Sequence, residues 1–445
     1  MNIGVVSLGC VKNQVDTEEM LSFLKKDGFD FVSDAAQAEV LIVNTCGFIT
    51  SAKEESIDAI LEMAEYKKTG RCQVLCVTGC LAQRYEQELL EDIPEIDVLT
   101  GVTQYPALPA LIRGALKGER ASDTTRAESF NNCGRVLTTP AYTAYVRIAE
   151  GCDNRCAYCA IPGIRGGFRS RPKDAILSEM QSLAQKGVRE QILIAQDTSR
   201  YGRDLKSTSL SVLLDAASAI PGIDWLRVLY CYPDEINEDL IDLMADRPNI
   251  CKYLDLPLQH ASPRLLKAMN RRGDFSRTRD LLAYAREKGF ALRTTIIVGF
   301  PGETQEDMDL LTLFMEEVRF DRLGAFSFSP EEGTPAEKMP DQVTKSVKAA
   351  RLETVMKLQA NISLARNRLR IGGTETLLVT GRAGGQYTAR SQWEAPDSDG
   401  IIRLDSGGST LGLGDMVTGL ITQADIYDLN ARLAENQGGT HEPAQ

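Results

Sequence analysis

The chain has 445 residues, of which 43% are hydrophobic and 25% are charged, and its net charge is −12. This length exceeds one ordinary domain, so we expect two or three, and the balanced composition excludes a disordered or fibrous protein. The negative net charge argues against broad non-specific binding of nucleic acid, although the net charge does not reveal a local basic patch.

The first residues, MNIGVVSLGC, do not form a secretory leader, and no apolar run has the length needed to cross a bilayer. We therefore expect a cytoplasmic protein, in which most of the eleven cysteines are reduced thiols or metal ligands. Only two histidines are present, His260 and His441, which argues against a zinc site built from several imidazoles.

Residues 1–117 alternate short apolar runs with amphipathic stretches, which predicts βαβ units in a doubly wound parallel sheet. The predicted strands are Ile3–Ser7, Val40–Asn44 and Gln73–Val77. The predicted helices are Gln14–Lys26, Ala52–Lys67 and Leu81–Glu91. Residues 118–137 are polar and lack periodicity, and this composition predicts a linker.

Residues 138–368 contain a second alternating series, which predicts a (βα)6 partial barrel. The predicted strands are Ala144–Ala149, Gln191–Ala195, Trp225–Tyr230, Tyr253–Leu256, Leu292–Val298 and Arg322–Ser327. A charged helix over about residues 342–370 should lead out of this barrel.

Residues 369–436 are apolar segments punctuated by glycine, which predicts a small antiparallel β-barrel. From Thr374 to the end of the chain the net charge is −6, and lysine is absent. The last residues, 437–445, have the composition of a disordered tail.

Three cysteines lie within eight positions in the segment GCDNRCAYCAIPGIRGG, at Cys152, Cys156 and Cys159. Three thiolates in one short loop can bind three irons of a cubane cluster and leave the fourth iron open. An open coordination position is typical of a reactive metal site, and the loop follows the first barrel strand, where α/β barrels place their active sites. A structural zinc or an electron-transfer cluster is the alternative.

Cys10, Cys46 and Cys80 each follow a predicted strand of the first sheet. Because the carboxyl ends of parallel strands meet at one edge, these thiols could form a second three-ligand site. Three unrelated buried cysteines explain the residues equally well. Cys72 and Cys76 also share a spacing of four with Cys80, but their segment predicts a strand, so we expect them in the core. The remaining cysteines, expected to be structural, are Cys133, Cys231 and Cys251.

The C-x3-C-x2-C loop and the six βα units resemble the radical S-adenosylmethionine superfamily. The resemblance implies that Tyr158 packs near the adenine of S-adenosylmethionine and that Gln196 meets its amino group. It also implies that Ile297, in TTIIVGFPGET, packs against adenine, and that Phe328 lies at the end of the sixth strand within this site. The nearby arginines could bind an acidic group or solvate the loop, and we favour solvation; they are Arg165, Arg169 and Arg171.

The segments SLGCVKNQVDTE, VNTCGFITSAKEESI and TGCLAQRY resemble the amino-terminal domain of the methylthiotransferases. Members of that family join this domain to a radical S-adenosylmethionine barrel and a small TRAM domain, so the resemblance covers almost the whole chain. It implies two [4Fe-4S] clusters, S-adenosylmethionine as cofactor, and Cys10, Cys46 and Cys80 as ligands of the second, auxiliary cluster. The chemistry is carried by clusters and cofactor, so no catalytic side chain is expected.

Members of this family modify either an aspartate of ribosomal protein S twelve or an adenosine of tRNA that carries an isopentenyl or threonylcarbamoyl group. The residues of the motifs SLGCVKNQVD and CGFITSAKEESI are closer to those of the ribosomal-protein type. An acidic carboxy-terminal domain also suits a basic ribosomal protein better than RNA. We expected Trp393, Glu394, Asp397 and Asp399 to contribute to that acidic surface. An electron-donor protein is also implied, RNA contact is not favoured, and a non-catalytic iron–sulfur scaffold or RNA-binding module is the distant alternative.

Overall fold

The computed structural model describes residues 1–127, 129–130 and 134–434, and the three parts of the chain follow one another in the predicted order. Among these residues, no helix combines the length and the apolar character needed to cross a membrane. Cys133, His441 and the tail 437–445 lie outside the described residues.

The first part is a parallel sheet of six strands in the order β2-β1-β3-β4-β5-β6. The strands are β1 (Asn2–Ser7), β2 (Asp30–Phe31), β3 (Val40–Thr45), β4 (Val74–Gly79), β5 (Val98–Thr100) and β6 (Ala121–Asp123). The helices are α1 (Val11–Lys26), α2 (Thr50–Thr69), α3 (Cys80–Arg84), α4 (Glu86–Asp92) and α5 (Leu108–Ala115). Helices α1 and α5 pack on one face and α2 and α4 on the other, which confirms the doubly wound sheet.

Two details of this first part differ from the sequence prediction. The segment predicted as a linker contains β6, which pairs in parallel with β5 and extends the sheet to Asp123. A strand of three residues is too short to show periodicity, so sequence pattern did not reveal it. The predicted helix over 81–91 is broken at Tyr85, whose φ of −132° lies outside the helical range.

The second part is the predicted open (βα)6 barrel. Its strands are β7 (Thr143–Arg147), β10 (Glu190–Ile194), β11 (Trp225–Val228), β12 (Tyr253–Asp255), β13 (Ala291–Val298) and β14 (Arg322–Ser327). Strands β7, β10 and β11 form one parallel half and β12, β13 and β14 the other, and a parallel bridge between Leu226 and Ile250 joins the halves. A short antiparallel pair, β8 (Ala149–Glu150) and β9 (Arg169–Ser170), lies beyond the end of β7.

The helices of this part are α6 (Ile161–Arg165), α7 (Lys173–Gln185), α8 (Leu210–Ser218), α9 (Glu238–Asp246), α10 (Pro263–Ala268), α11 (Phe275–Glu287), α12 (Gln305–Val318) and α13 (Lys345–Arg368). All except α6 and α10, which pack in smaller apolar clusters, contribute buried residues to the core of the barrel. Helix α13, predicted only to lead out of the barrel, also packs against it: Val355 and Ile362 are buried in the barrel core. The Gln359 side chain donates a hydrogen bond of 2.8 Å to the Phe320 carbonyl.

The third part is a closed five-stranded barrel in the order β15-β16-β17-β19-β18. Its strands are β15 (Thr374–Ala383), β16 (Gln386–Arg390), β17 (Ile402–Asp405), β18 (Met416–Ala424) and β19 (Leu429–Leu433). The small barrel was predicted as antiparallel, but β17 and β19 pair in parallel. Their connection runs through β18, which pairs antiparallel with β19 on its other side.

The end of β16 and the segment that follows it dock the small barrel onto the large one through buried charges. Arg390 pairs with Glu190 of β10, and Glu190 also accepts a hydrogen bond of 3.1 Å from Arg227. Despite burial, these two guanidinium groups lower the pKa of Glu190 to about 2. The carboxylate is therefore charged at neutral pH, and it stabilises the contact between the two domains.

The acidic surface expected on this segment is largely absent. Glu394 is 1% exposed and accepts a hydrogen bond of 2.9 Å from Arg322 of β14. Asp399 accepts one of 2.6 Å from the Tyr253 hydroxyl. Trp393 is half-buried, with the Arg370 guanidinium 5.1 Å from its ring centre, and only Asp397 is exposed. The prediction was wrong for Glu394 and Asp399 because their partners lie far away in sequence.

Replacing Arg390 by alanine should lower the free energy of unfolding by about 3–5 kcal/mol, because Glu190 then keeps a buried charge with one partner removed. Urea denaturation followed by circular dichroism measures this loss. In the wild type, the contribution of the Glu190 charge to the free energy of unfolding is present above the ordinary carboxyl pKa. It is lost as the pH falls towards 2.

The matched control is Arg403→Ala in the same small barrel. Arg403 pairs with Asp428 at 2.6 Å, but both side chains are partly exposed, so the loss should stay below about 1 kcal/mol. Equal losses for the two variants would contradict a special role of the buried pair.

Candidate functional site

The loop with the first three cysteines is closed at its base by the β8–β9 pair. Within it, the Cys152 amide donates a hydrogen bond of 3.1 Å to the Gly166 carbonyl. Gly151 has a φ of +76°, and a Cβ there would lie 2.1 Å from the Gly167 carbonyl oxygen, so only glycine fits. The loop thus folds back tightly on itself at the carboxyl end of the first barrel strand.

The three thiols of this loop lie close enough to influence one another's pKa. Burial is the main cause of the rise in pKa to about 11 at Cys152 and to about 12 at Cys159, and the charge of Cys156 contributes to both rises. The Arg271 guanidinium lies 3.9 Å from Cys156 Sγ and 3.8 Å from the Tyr232 ring centre. Thiols with raised pKa values must lose protons to bind a metal, so metal binding here releases protons.

The second set of cysteines meets at the carboxyl edge of the first sheet. Cys10, Cys46 and Cys80 follow the neighbouring strands β1, β3 and β4. The charge of Cys10 raises the pKa of both other thiols, and burial is the main cause of the rise to about 11 at Cys80. The structure therefore brings together three residues that are separated by tens of positions in sequence.

Two glycines let the loops of this second set approach each other closely. Gly9 has a φ of +90°, and a Cβ there would lie 3.2 Å from Cys46 Sγ. A Cβ on Gly47 would lie 2.8 Å from the Cys80 carbonyl oxygen. A side chain at either position would therefore collide with the segment that carries the neighbouring cysteine.

Within the described residues, no three histidine, cysteine or acidic side chains are grouped to bind a single metal ion. Three thiolates are the donors that a [4Fe-4S] cluster takes, one for each of three irons, and each set of cysteines supplies three.

The residues expected around S-adenosylmethionine fall into two places. Tyr158, Ile297 and Phe328 pack together in one apolar cluster beside the cysteine loop. Gln196 lies apart from this cluster and donates a hydrogen bond of 2.8 Å to Glu150. The other end of its amide, Oε1, is buried and has no hydrogen-bond partner among the described residues. A free acceptor in a buried position fits a ligand that carries an ammonium group.

Sequence reasoning missed a buried network of charges between the two sets of cysteines. Arg165 was expected to solvate the loop, but its side chain is 1% exposed and pairs with Asp16 at 2.8 Å. Arg147 pairs with Asp16 and Glu19 of α1 and with Glu150 of β8. The one signal in the sequence is that Asp16 and Glu19, three apart, share one face of the predicted helix over 14–26.

The other two arginines of the loop differ from each other. Arg171 is buried and pairs with Glu179 at 2.8 Å, so the expectation of solvation was wrong for it as well. Arg169 is half-buried, and it donates a hydrogen bond of 2.6 Å to the Ala127 carbonyl.

A cavity of about 740 Å³ opens beside Cys10, between the three domains. Tyr145, Tyr230 and Arg293 of the barrel and Asp397 of the small barrel line it. Tyr230 has a φ of +62°, which is rare for an aromatic residue, and the Lys12 ammonium lies 3.2 Å from its ring centre. The cavity gives a ligand from solution access to one of the second set of thiols.

Three family models match the chain. They are described as uncharacterized protein family UPF0004 for residues 2–101, radical SAM superfamily for residues 146–314 and TRAM domain for residues 371–433. Among solved structures, the radical S-adenosylmethionine methyltransferase TsrM from Kitasatospora setae has a TM-score of 0.56 at 13% identity. That similarity covers 81% of this chain and 89% of that one, and it shows a shared fold.

Curated relatives are similar over nearly their whole length. The protein "Ribosomal protein uS12 methylthiotransferase RimO" of Desulforamulus reducens is 50% identical, covering 98% of this chain and 100% of that one. The proteins of the same name from Pelotomaculum thermopropionicum and Geobacter sulfurreducens are 50% and 47% identical, each covering 96% of this chain. The matched regions span 98% and 97% of those two proteins. Similarity of this extent, across all three domains, shows that the chain belongs to the RimO family of radical S-adenosylmethionine methylthiotransferases.

Proposed function

We propose that the chain transfers a methylthio group to the β-carbon of an aspartate in ribosomal protein uS12. The observation that carries this proposal is the presence of two separate three-thiol sites, one in the barrel loop and one at the edge of the first sheet. The relatives that share both domains and are named for this activity support the choice of substrate.

The two sites have different roles in this proposal. Cys152, Cys156 and Cys159 would hold the cluster that binds S-adenosylmethionine, and the second set, Cys10, Cys46 and Cys80, would hold the auxiliary cluster. When bound, the clusters and S-adenosylmethionine supply a radical that breaks an inert C–H bond and a sulfur that carries a methyl group. Acid–base chemistry cannot easily break such a bond, which is why no general base is assigned.

The protein side chains bind and orient the cofactor and the substrate, and they exclude water from the site. The apolar cluster of Tyr158, Ile297 and Phe328 offers a dry surface for an adenine ring. Gln196 is held by Glu150 with its Oε1 free, an orientation suited to accepting a hydrogen bond from the amino group of the cofactor. The cavity beside Cys10 would admit the loop of the substrate protein that carries the aspartate.

We also propose the domain limits 1–117, extended to residue 123 by β6, 138–368 and 369–436, with the auxiliary site in the first domain and the radical-forming site in the second. The location would be the cytoplasm, where the ribosomal substrate is made and where thiols stay reduced. An electron donor is required to start the reaction. RNA contact is not favoured, because the carboxy-terminal segment from Thr374 carries a net charge of −6.

The first prediction concerns the substrate. The anaerobically reconstituted protein, with a reductant and S-adenosylmethionine, should add a methylthio group to the aspartate of uS12 and none to a tRNA anticodon stem-loop. Mass spectrometry of each substrate measures the addition. The Cys80→Ala variant is the control, and addition to the RNA alone would contradict the choice of substrate.

The second prediction separates the two sets of cysteines. Replacing Cys152, Cys156 or Cys159 by alanine should abolish reductive cleavage of S-adenosylmethionine, because the radical-forming cluster then lacks a ligand. Replacing Cys10, Cys46 or Cys80 should leave this cleavage intact and stop sulfur insertion. Chromatography of 5′-deoxyadenosine and mass spectrometry of uS12 give the two readouts; loss of cleavage in both groups of variants would contradict separate roles.

The third prediction concerns protection of the thiols from alkylation. In the metal-free protein Cys10, which is exposed, should react with iodoacetamide before the buried Cys76. After cluster reconstitution Cys10 should become protected although its exposure is unchanged, because its sulfur is bound to iron. Mass spectrometry of labelled peptides measures this, and continued labelling of Cys10 at full iron content would exclude it as a ligand.

A further inference from the structure

Arg165 belongs to the barrel loop but reaches a thiol of the first domain. It is the last residue of α6, six positions after Cys159, and its side chain is 1% exposed. Its Nη2 atom lies 3.4 Å from Cys80 Sγ and donates hydrogen bonds of 2.7 Å to Asn13 Oδ1 and 2.8 Å to Asp16 Oδ2. Beneath it, Ile164 packs against Cys80 in a small apolar cluster.

The same guanidinium is also bound to the base of the first cysteine loop. Its Nη1 atom lies 3.2 Å from both carboxylate oxygens of Glu150. Glu150 comes two residues before Cys152 and also accepts the hydrogen bond from Gln196. One planar, rigid group thus connects the second set of thiols with the loop that holds the first set.

The charges around Arg165 keep it in this position. Glu150 is 2% exposed, and its carboxylate accepts hydrogen bonds of 3.0 Å from Arg147 and 3.2 Å from Arg165. Asp16 lies between Arg165 and Arg147 and binds both. A buried arginine with carboxylates on two sides cannot turn away without leaving several charges without partners, which is costly.

We propose that Arg165 is a positioning residue, which sets the reduction potential of the cluster held by Cys10, Cys46 and Cys80 and fixes its distance from the radical-forming loop. The identity of that cluster rests on the proposed function. A cationic hydrogen-bond donor at a ligand sulfur stabilises the reduced, more negative state of an iron–sulfur cluster. Asp16, on the same guanidinium, has the opposite effect because it carries a negative charge close to Cys80.

The test isolates one cluster in the full-length chain. In a background with Cys152, Cys156 and Cys159 all replaced by alanine, only the auxiliary cluster should assemble. Arg165→Gln should then shift its midpoint potential to a more negative value, and Arg165→Lys should shift it less. Asp16→Asn should shift it to a more positive value. Spectroscopic redox titration with iron analysis measures all three variants.

Arg169→Gln is the matched control, because Arg169 lies in the same loop but binds the Ala127 carbonyl instead of a thiol. The midpoint potential of the auxiliary cluster in the Arg169→Gln variant should equal the potential in the background protein. Equal potentials for the Arg165 and Arg169 variants, or shifts of the same sign for Arg165→Gln and Asp16→Asn, would overturn the proposal. Loss of iron from both Arg165 variants, with an unchanged potential in Asp16→Asn, would overturn it as well.

A second measurement uses the chain with all six cysteines intact. Arg165→Lys should lower the ratio of methylthio product to 5′-deoxyadenosine about tenfold, as is usual when an outer partner of a metal ligand is replaced. Reductive cleavage itself should continue. If the wild-type chain gives no product on uS12, the proposed function fails, while the redox titration still decides the role of Arg165.

Discussion

The arrangement of the whole molecule depends on opposite charges buried between the first sheet and the barrel. Arg147 and Arg165 come from the barrel side, Asp16 and Glu19 from helix α1, and Glu150 lies between the two cysteine sites. Removing such charges from water costs free energy, and this cost is offset only while every partner stays in place. Because the contact tolerates little change in geometry, it holds two distant sets of thiols at a defined separation.

The two sets of thiols occupy equivalent places in two different parallel sheets. Each follows the carboxyl end of parallel strands, where backbone amides and short loops leave space for a ligand. In the first sheet the thiols come from three neighbouring strands, and in the barrel they come from one loop after one strand. The doubly wound domain and the barrel thus each present one set of thiols, and the cavity beside Cys10 gives access to the set of the first domain.

Regular features of this fold were predictable from the sequence because they depend on local patterns. Apolar runs predict the strands, and the sequence alone therefore places Cys10, Cys46 and Cys80 at strand ends. The burial of Arg165 and Arg171 did not follow, because arginine beside glycine in a loop is normally solvated and their carboxylate partners lie far along the chain. Glu394 was misjudged for the same reason: its partner, Arg322, belongs to another domain.

The pairing of helix α1 with distant arginines has a consequence for biosynthesis. Asp16 and Glu18 are made among the first residues, but their partners are Arg135, Arg147 and Arg165. A growing chain that ends near residue 117 already contains most of the first sheet, yet it lacks every one of these cations. The apolar side of α1, with Met20 and Leu24, has its sheet neighbours within the first domain, but the carboxylates of Asp16 and Glu18 gain their arginine partners only once residues 135–165 have been made.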